Sequence, residues 1–108
     1  MSQVILPPTK ERIIEELSRY TREIESFSVV SLGLFGSVVR GQASSSSDID
    51  FVVVLREKSF QNFIGLKIFM EDLLHRKIDL VIFDSIKPRL KDIILREVVY
   101  VPGFDSIS

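Results

Sequence analysis

With 108 residues, 45% of them hydrophobic, the chain is long enough to bury a core of its own, and a formal charge of −1 gives it no basic field to attract nucleic acid. The absence of cysteine and the presence of one histidine exclude disulfides, thiolate chemistry and a histidine-built zinc site. No apolar run approaches the roughly 20 residues of a membrane span, and MSQVILPP has neither the basic start nor the apolar length of a signal peptide. A cytoplasmic protein with one domain, 1–108, and neither membrane nor nucleic acid as a direct partner is the expectation.

Pro7-Pro8 closes a short leader, and Thr9 can cap the helix that follows, where Ile13, Ile14, Leu17, Tyr20 and Ile24 recur at helical spacing. SVVSLGLFG (28–36) is β-rich and ends in glycine, which predicts a buried strand. Ser37 to Gly41 suits one helical turn, and ASSSS reads as flexible loop. Asp48 to Leu55 predicts a second strand, apolar on both faces beyond Asp50 and hence central in its sheet. Ser59 can cap a helix from Phe60 to about Arg76, and IDLVIFD (78–84) reads as a third buried strand. Pro88 suits the first turn of a helix reaching about Glu97, and VVYV (98–101) adds a short edge strand. The order predicts an α+β fold, a small mixed sheet of three to four strands with helices packed on it.

The chemistry concentrates between residues 35 and 55, in FGSVVRGQASSSSDIDFVVVL. Strand side chains alternate between faces, so Asp48 and Asp50 project to one side. Two carboxylates that close repel unless a cation lies between them, and Mg²⁺ prefers such oxygen ligands together with water and substrate phosphates. A third carboxylate on a neighbouring strand would allow a second metal and in-line phosphoryl chemistry. Asp79 is the candidate. Asp84 has the opposite strand parity and falls at the strand end beside Ser85, where it reads as a turn residue. Gly36 can adopt positive φ and bring backbone N–H groups to an anion, Ser37 adds a hydroxyl, and Arg40 offers a planar fork to phosphate. No Walker loop and no GxGxxG is present.

Gly36-Ser37, ten intervening residues and then Asp48-Ile49-Asp50 resemble the signature of the DNA polymerase beta-like nucleotidyltransferases. The run GSVVRGQASSSSDIDFVVV is similar to the minimal nucleotidyltransferases, with Gly36, Ser37, Arg40, Gly41, Ala43, Ser47, Asp48 and Asp50 at matching places, and IDLV (78–81) resembles the strand of the third carboxylate. The resemblance implies the polymerase beta-like palm fold and Mg²⁺-dependent transfer of a nucleoside monophosphate, most often AMP from ATP, to a hydroxyl. It implies metal binding by Asp48, Asp50 and Asp79, activation of the acceptor by Asp79, and a hold on the β/γ-phosphates by Gly36 and Ser37. Many minimal nucleotidyltransferases act as the antitoxin of a HEPN-type toxin, by adding AMP to a toxin tyrosine or by forming a complex. The alternative is a non-catalytic antitoxin that masks its partner.

Phe60, Phe63, Ile64, Leu66, Met70, Leu73 and Leu74 form a broad apolar arc on the helix after Ser59, extended by Ile68 and Phe69. Burial against the sheet explains it, or a homodimer or hetero-oligomer contact does. His75 reads as a surface residue, and Lys87, Arg89, Lys91 and Arg96 as a solvated helix face.

Overall fold

The computed structural model describes residues 8–105, so the leader that Pro7-Pro8 is expected to close lies, up to Pro7, outside the described residues. Helix α1 (Lys10–Ser18) is capped by the Thr9 hydroxyl, which accepts from the Arg12 N–H at 3.3 Å. The expected single helix stops there and resumes as α2 (Thr21–Glu25). At the break the Ser18 and Thr21 hydroxyls donate to the Glu15 and Ser18 carbonyls, a local bonding that competes with helix continuation. Tyr20 at this corner sets its ring edge-on against Phe69, with centroids 5.9 Å apart.

The sheet runs β3-β2-β1-β4, formed by β1 (Val29–Phe35), β2 (Ile49–Leu55), β3 (Ile78–Ile82) and β4 (Val99–Tyr100). Strand β1 is antiparallel to both β2 and β4, while β2 and β3 are parallel. The central place of β2 follows from its apolar residues on both faces, as expected. Strand β3 was expected to be a fully buried strand and lies at the sheet edge. It pairs with β2 alone, and only one of its faces is covered, since Ile78 and Leu80 are buried while Asp79 is exposed. Helix α3 (Phe60–Leu74) supplies the parallel crossover from β2 to β3. It ends sooner than the expected Arg76, because His75 takes a left-handed conformation at φ 54°. Helix α4 (Pro88–Glu97) starts with proline in its first turn and leads into β4.

One core joins Ile13, Leu17 and Ile24 of the first two helices, Leu66 and Met70 of α3, and Leu32, Leu34, Phe51 and Val53 of the sheet. Val52 and Ile94 are fully buried outside this cluster. Strand alternation puts Val52 on the opposite face from Phe51 and Val53, and α4 covers that second face. Asp50 shares parity with Val52, so it lies on the α4 side. No helix among the described residues is long and apolar enough to cross a membrane.

Candidate nucleotidyl-transfer site

One rim of the sheet collects the candidate residues. Strand β1 ends there at Phe35, and β2, β3 and β4 all begin there. Phe35 pairs with Asp50 across the antiparallel ladder, and Asp50 pairs with Asp79 across the parallel one. Residues directly opposite on neighbouring strands point to the same face, so Asp50 and Asp79 meet. The choice of Asp79 over Asp84 has a geometric counterpart: Asp84 lies in the turn after β3, 2.5 Å from the Lys58 ammonium, which holds its carboxyl below the usual range.

Asp50 and Asp79 are coupled. Burial is the main reason the Asp50 carboxyl is raised to about 6, and Asp79 adds its negative charge and a side-chain hydrogen bond. Asp48, exposed and ahead of β2, contributes further repulsion, which the charge of Arg40 offsets in part. No group of three or more His, Cys, Asp or Glu side chains converges on a metal position among the described residues. The all-oxygen Asp50–Asp79 pair nonetheless fits Mg²⁺, which usually takes one or two carboxylates and fills its shell with water and phosphate. A cation there would relieve the repulsion that now favours a proton on Asp50.

The start of β3 is fixed beside this pair. Glu71 of α3 accepts the Ile78 N–H at 3.1 Å, a bond that lowers its own pKa, and the Ile49 N–H reaches the Lys77 carbonyl at 3.0 Å.

Gly36 opens a single 3₁₀ turn, Gly36–Val38, at φ 83°. A Cβ at this position would overlap the Asp50 carboxylate, so glycine is required both by the backbone and by the space. Ser37 is half-buried in the same turn, and its carbonyl accepts the Gln42 N–H at 2.8 Å. Arg40 is exposed, with Nε donating to the Gln42 side chain at 3.2 Å and Nη1 to both oxygens of Glu97 at 3.1 and 3.2 Å. The serines, expected as a flexible loop, close into a bonded turn in which the Ser44 N–H donates to Ser47 Oγ at 2.8 Å. The Arg76 guanidinium donates to the Ser45 carbonyl from outside that turn.

Glu97 is the residue that sequence reasoning missed. Its carboxylate also accepts the Gly36 N–H at 2.5 Å. The available signal was an acid in the last turn of a helix, where the helix dipole disfavours negative charge.

This rim, a Gly-Ser turn packed on paired strand carboxylates, occurs in a chain whose residues 11–101 match the family model described as a nucleotidyltransferase domain. The chain belongs to that family. The nucleotidyltransferase is 42% identical over 95 residues to a protein adenylyltransferase, MntA, of Thermococcus cleftensis, covering 86% of this chain and 96% of the relative. A solved structure of a candidate minimal nucleotidyltransferase superposes at a TM-score of 0.66 with 32% identity, over 80% of this chain and 93% of that one. A Shewanella oneidensis complex of a tri-AMPylated HEPN toxin with its MNT antitoxin matches at a TM-score of 0.60, over 83% of this nucleotidyltransferase and 72% of that chain. Identity there is 17%, so that likeness speaks for the fold alone.

Proposed function

We propose that this nucleotidyltransferase moves AMP from ATP to a tyrosine of a HEPN-type toxin, acting in the cytoplasm as that toxin's antitoxin. The observation that carries the chemistry is the facing of Asp50 and Asp79 beside a turn that only glycine can make. Similarity to a protein adenylyltransferase over nearly the whole of both chains supports a protein acceptor. The fold is shared with an antitoxin solved in complex with an AMPylated toxin, and a toxin of that class is the partner this reading names.

In this reading Asp48, Asp50 and Asp79 would hold Mg²⁺, two ions where all three engage, while Ser37 and Arg40 take the triphosphate on the turn that Gly36 makes possible. Bound Mg²⁺ supplies charge neutralisation for the phosphates and favours ionisation of the acceptor hydroxyl. The acceptor oxygen bonds to the α-phosphorus, and the bond from that phosphorus to the bridging oxygen breaks. Pyrophosphate leaves, and Asp79 takes the hydroxyl proton.

The test is intact mass spectrometry of the protein with its co-purified partner after addition of ATP and Mg²⁺, run beside Asp48→Asn and Asp50→Asn. The partner is expected to gain AMP units with the unaltered chain alone. A partner that binds all three proteins equally and gains no mass would make this a masking antitoxin instead.

A further inference from the structure

Glu97 closes α4 and is separated from β4 by Val98 alone, so the return of the chain to the sheet fixes where its side chain falls. Two partners far away in the sequence hold it: the Gly36 N–H at 2.5 Å and Arg40 Nη1, which lies 3.1 Å from Oε1 and 3.2 Å from Oε2. Its side chain is 19% exposed, against 49% for Arg40, so the carboxylate is the sheltered member of the pair. A sheltered anion with a charged donor and a backbone donor is a stronger tie than an exposed ion pair. The tie joins the first residue of the Gly-Ser turn to the arginine that follows it. It engages the Gly36 N–H and Arg40 Nη1, while Gln42 holds Arg40 Nε, so Ser37 and the Nη2 edge of Arg40 are left to meet phosphate on a turn that Gly36 shapes.

We propose that Glu97 is a positioning residue for the triphosphate, fixing the Gly36–Ser37 turn and the Arg40 guanidinium from the α4–β4 junction so that Ser37 and Arg40 meet the phosphates. The inference rests on the reading above that this turn receives the nucleotide. It makes α4, remote in sequence from the Gly-Ser turn, a working wall of the nucleotide site.

The experiment is calorimetric titration of the full chain with ATP and Mg²⁺, comparing the unaltered protein with Glu97→Gln, Glu97→Ala, Arg40→Ala and the Glu97→Ala/Arg40→Ala pair. Glu97→Ala is expected to weaken ATP binding at least about tenfold, the order lost with a charge-assisted hydrogen bond. Glu97→Gln keeps an acceptor for the Gly36 N–H and loses the charge, so roughly threefold weakening is expected; it decides the matter if the alanine variant does not fold. In the Arg40→Ala background the Glu97→Ala loss should shrink to the share carried by the Gly36 N–H, a coupling that a general loss of stability would not produce. Unchanged affinity in a folded Glu97→Ala overturns the proposal. Tighter binding in Glu97→Gln also overturns it, because the carboxylate would then be a competitor of phosphate. If the unaltered chain binds no ATP, the nucleotide reading itself falls and the role of Glu97 falls with it.

Discussion

Asp50 is where sequence, fold and chemistry meet. Its carboxyl is raised from 3.8 to about 6 because burial and the neighbouring Asp79 both disfavour the charged form. The folded chain therefore holds this proton more tightly than the unfolded chain. Below about pH 4 both states are protonated and the difference has no effect. As pH rises through 4 to 6 the unfolded chain releases its proton first, so this group makes the metal-free protein less stable, and the loss is complete above about pH 6. Glu71 and Asp84, whose carboxyls are lowered, act in the opposite sense: their stabilisation is present at neutral pH and lost as pH falls through their folded values. The difference between the unaltered protein and Asp50→Asn isolates Asp50. At pH 7, without metal, we expect Asp50→Asn to be more stable by about 1 kcal/mol after allowance for solvent screening, and the advantage to vanish near pH 4, in thermal melts across that range. Added Mg²⁺ should raise the melting midpoint of the unaltered chain and leave Asp50→Asn nearly unmoved. Gly36→Ala meets a different obstacle at the same place. A positive φ and an overlap with the Asp50 carboxylate together predict roughly 2 kcal/mol of lost stability, measurable by urea unfolding, with loss of ATP binding.

Among the elements, α3 shows how a helix can be read correctly as helical and only partly in its surroundings. Leu66 and Met70 are fully buried, whereas Phe60 and Ile68 are 75% and 51% exposed, so the sheet does not cover the whole apolar arc. Gly65 lies in the helix interior, where alanine normally stabilises by about 1 kcal/mol. Here a Cβ would stand 2.8 Å from Cε1 of Phe27, whose ring packs over the glycine and against Phe69 at 5.9 Å. Gly65→Ala is therefore expected to destabilise by about 1 kcal/mol despite its better helix propensity. Phe27→Leu should remove much of that penalty in the double variant, read by denaturant midpoints. The sequence made β2, its central position and the Gly-Ser turn legible because apolar runs and glycine report local constraints. Asp84's place in a turn was legible for the same reason, since it falls at the end of the apolar run beside Ser85. The break at Arg19–Tyr20 was not, because Ile13, Leu17 and Ile24 keep helical phase across it. The edge position of β3 depends on what pairs beside it, which its own residues do not encode. Glu97 was hidden by distance along the chain: its partners Gly36 and Arg40 lie 61 and 57 residues away.

At the scale of the whole molecule, β1 is the shared beam, with the candidate site at one end and the last described segment of the chain at the other. The Leu32 N–H donates to the Phe104 carbonyl at 3.0 Å and the Val101 N–H to the Leu32 carbonyl at 2.9 Å, so the chain beyond β4 continues along β1. Val101 and Phe104 are both buried in the same core as Leu32 and Leu34. Phe35, at the other end of β1, pairs with Asp50. Three residue steps of extended strand separate Leu32 from Phe35, about 10 Å, and sites that far apart with no shared partner contribute to stability independently. Phe104→Ala empties a buried aromatic position and is expected to cost about 3–5 kcal/mol. Asp50→Asn acts at the opposite rim and relieves charge repulsion. In urea titrations at pH 7 without metal, the double variant should therefore show the sum of the two single effects within about 0.5 kcal/mol. A larger discrepancy would mean that the chain terminus and the carboxylate rim are coupled through β1, and that loosening one end changes how closely Asp50 and Asp79 are held at the other.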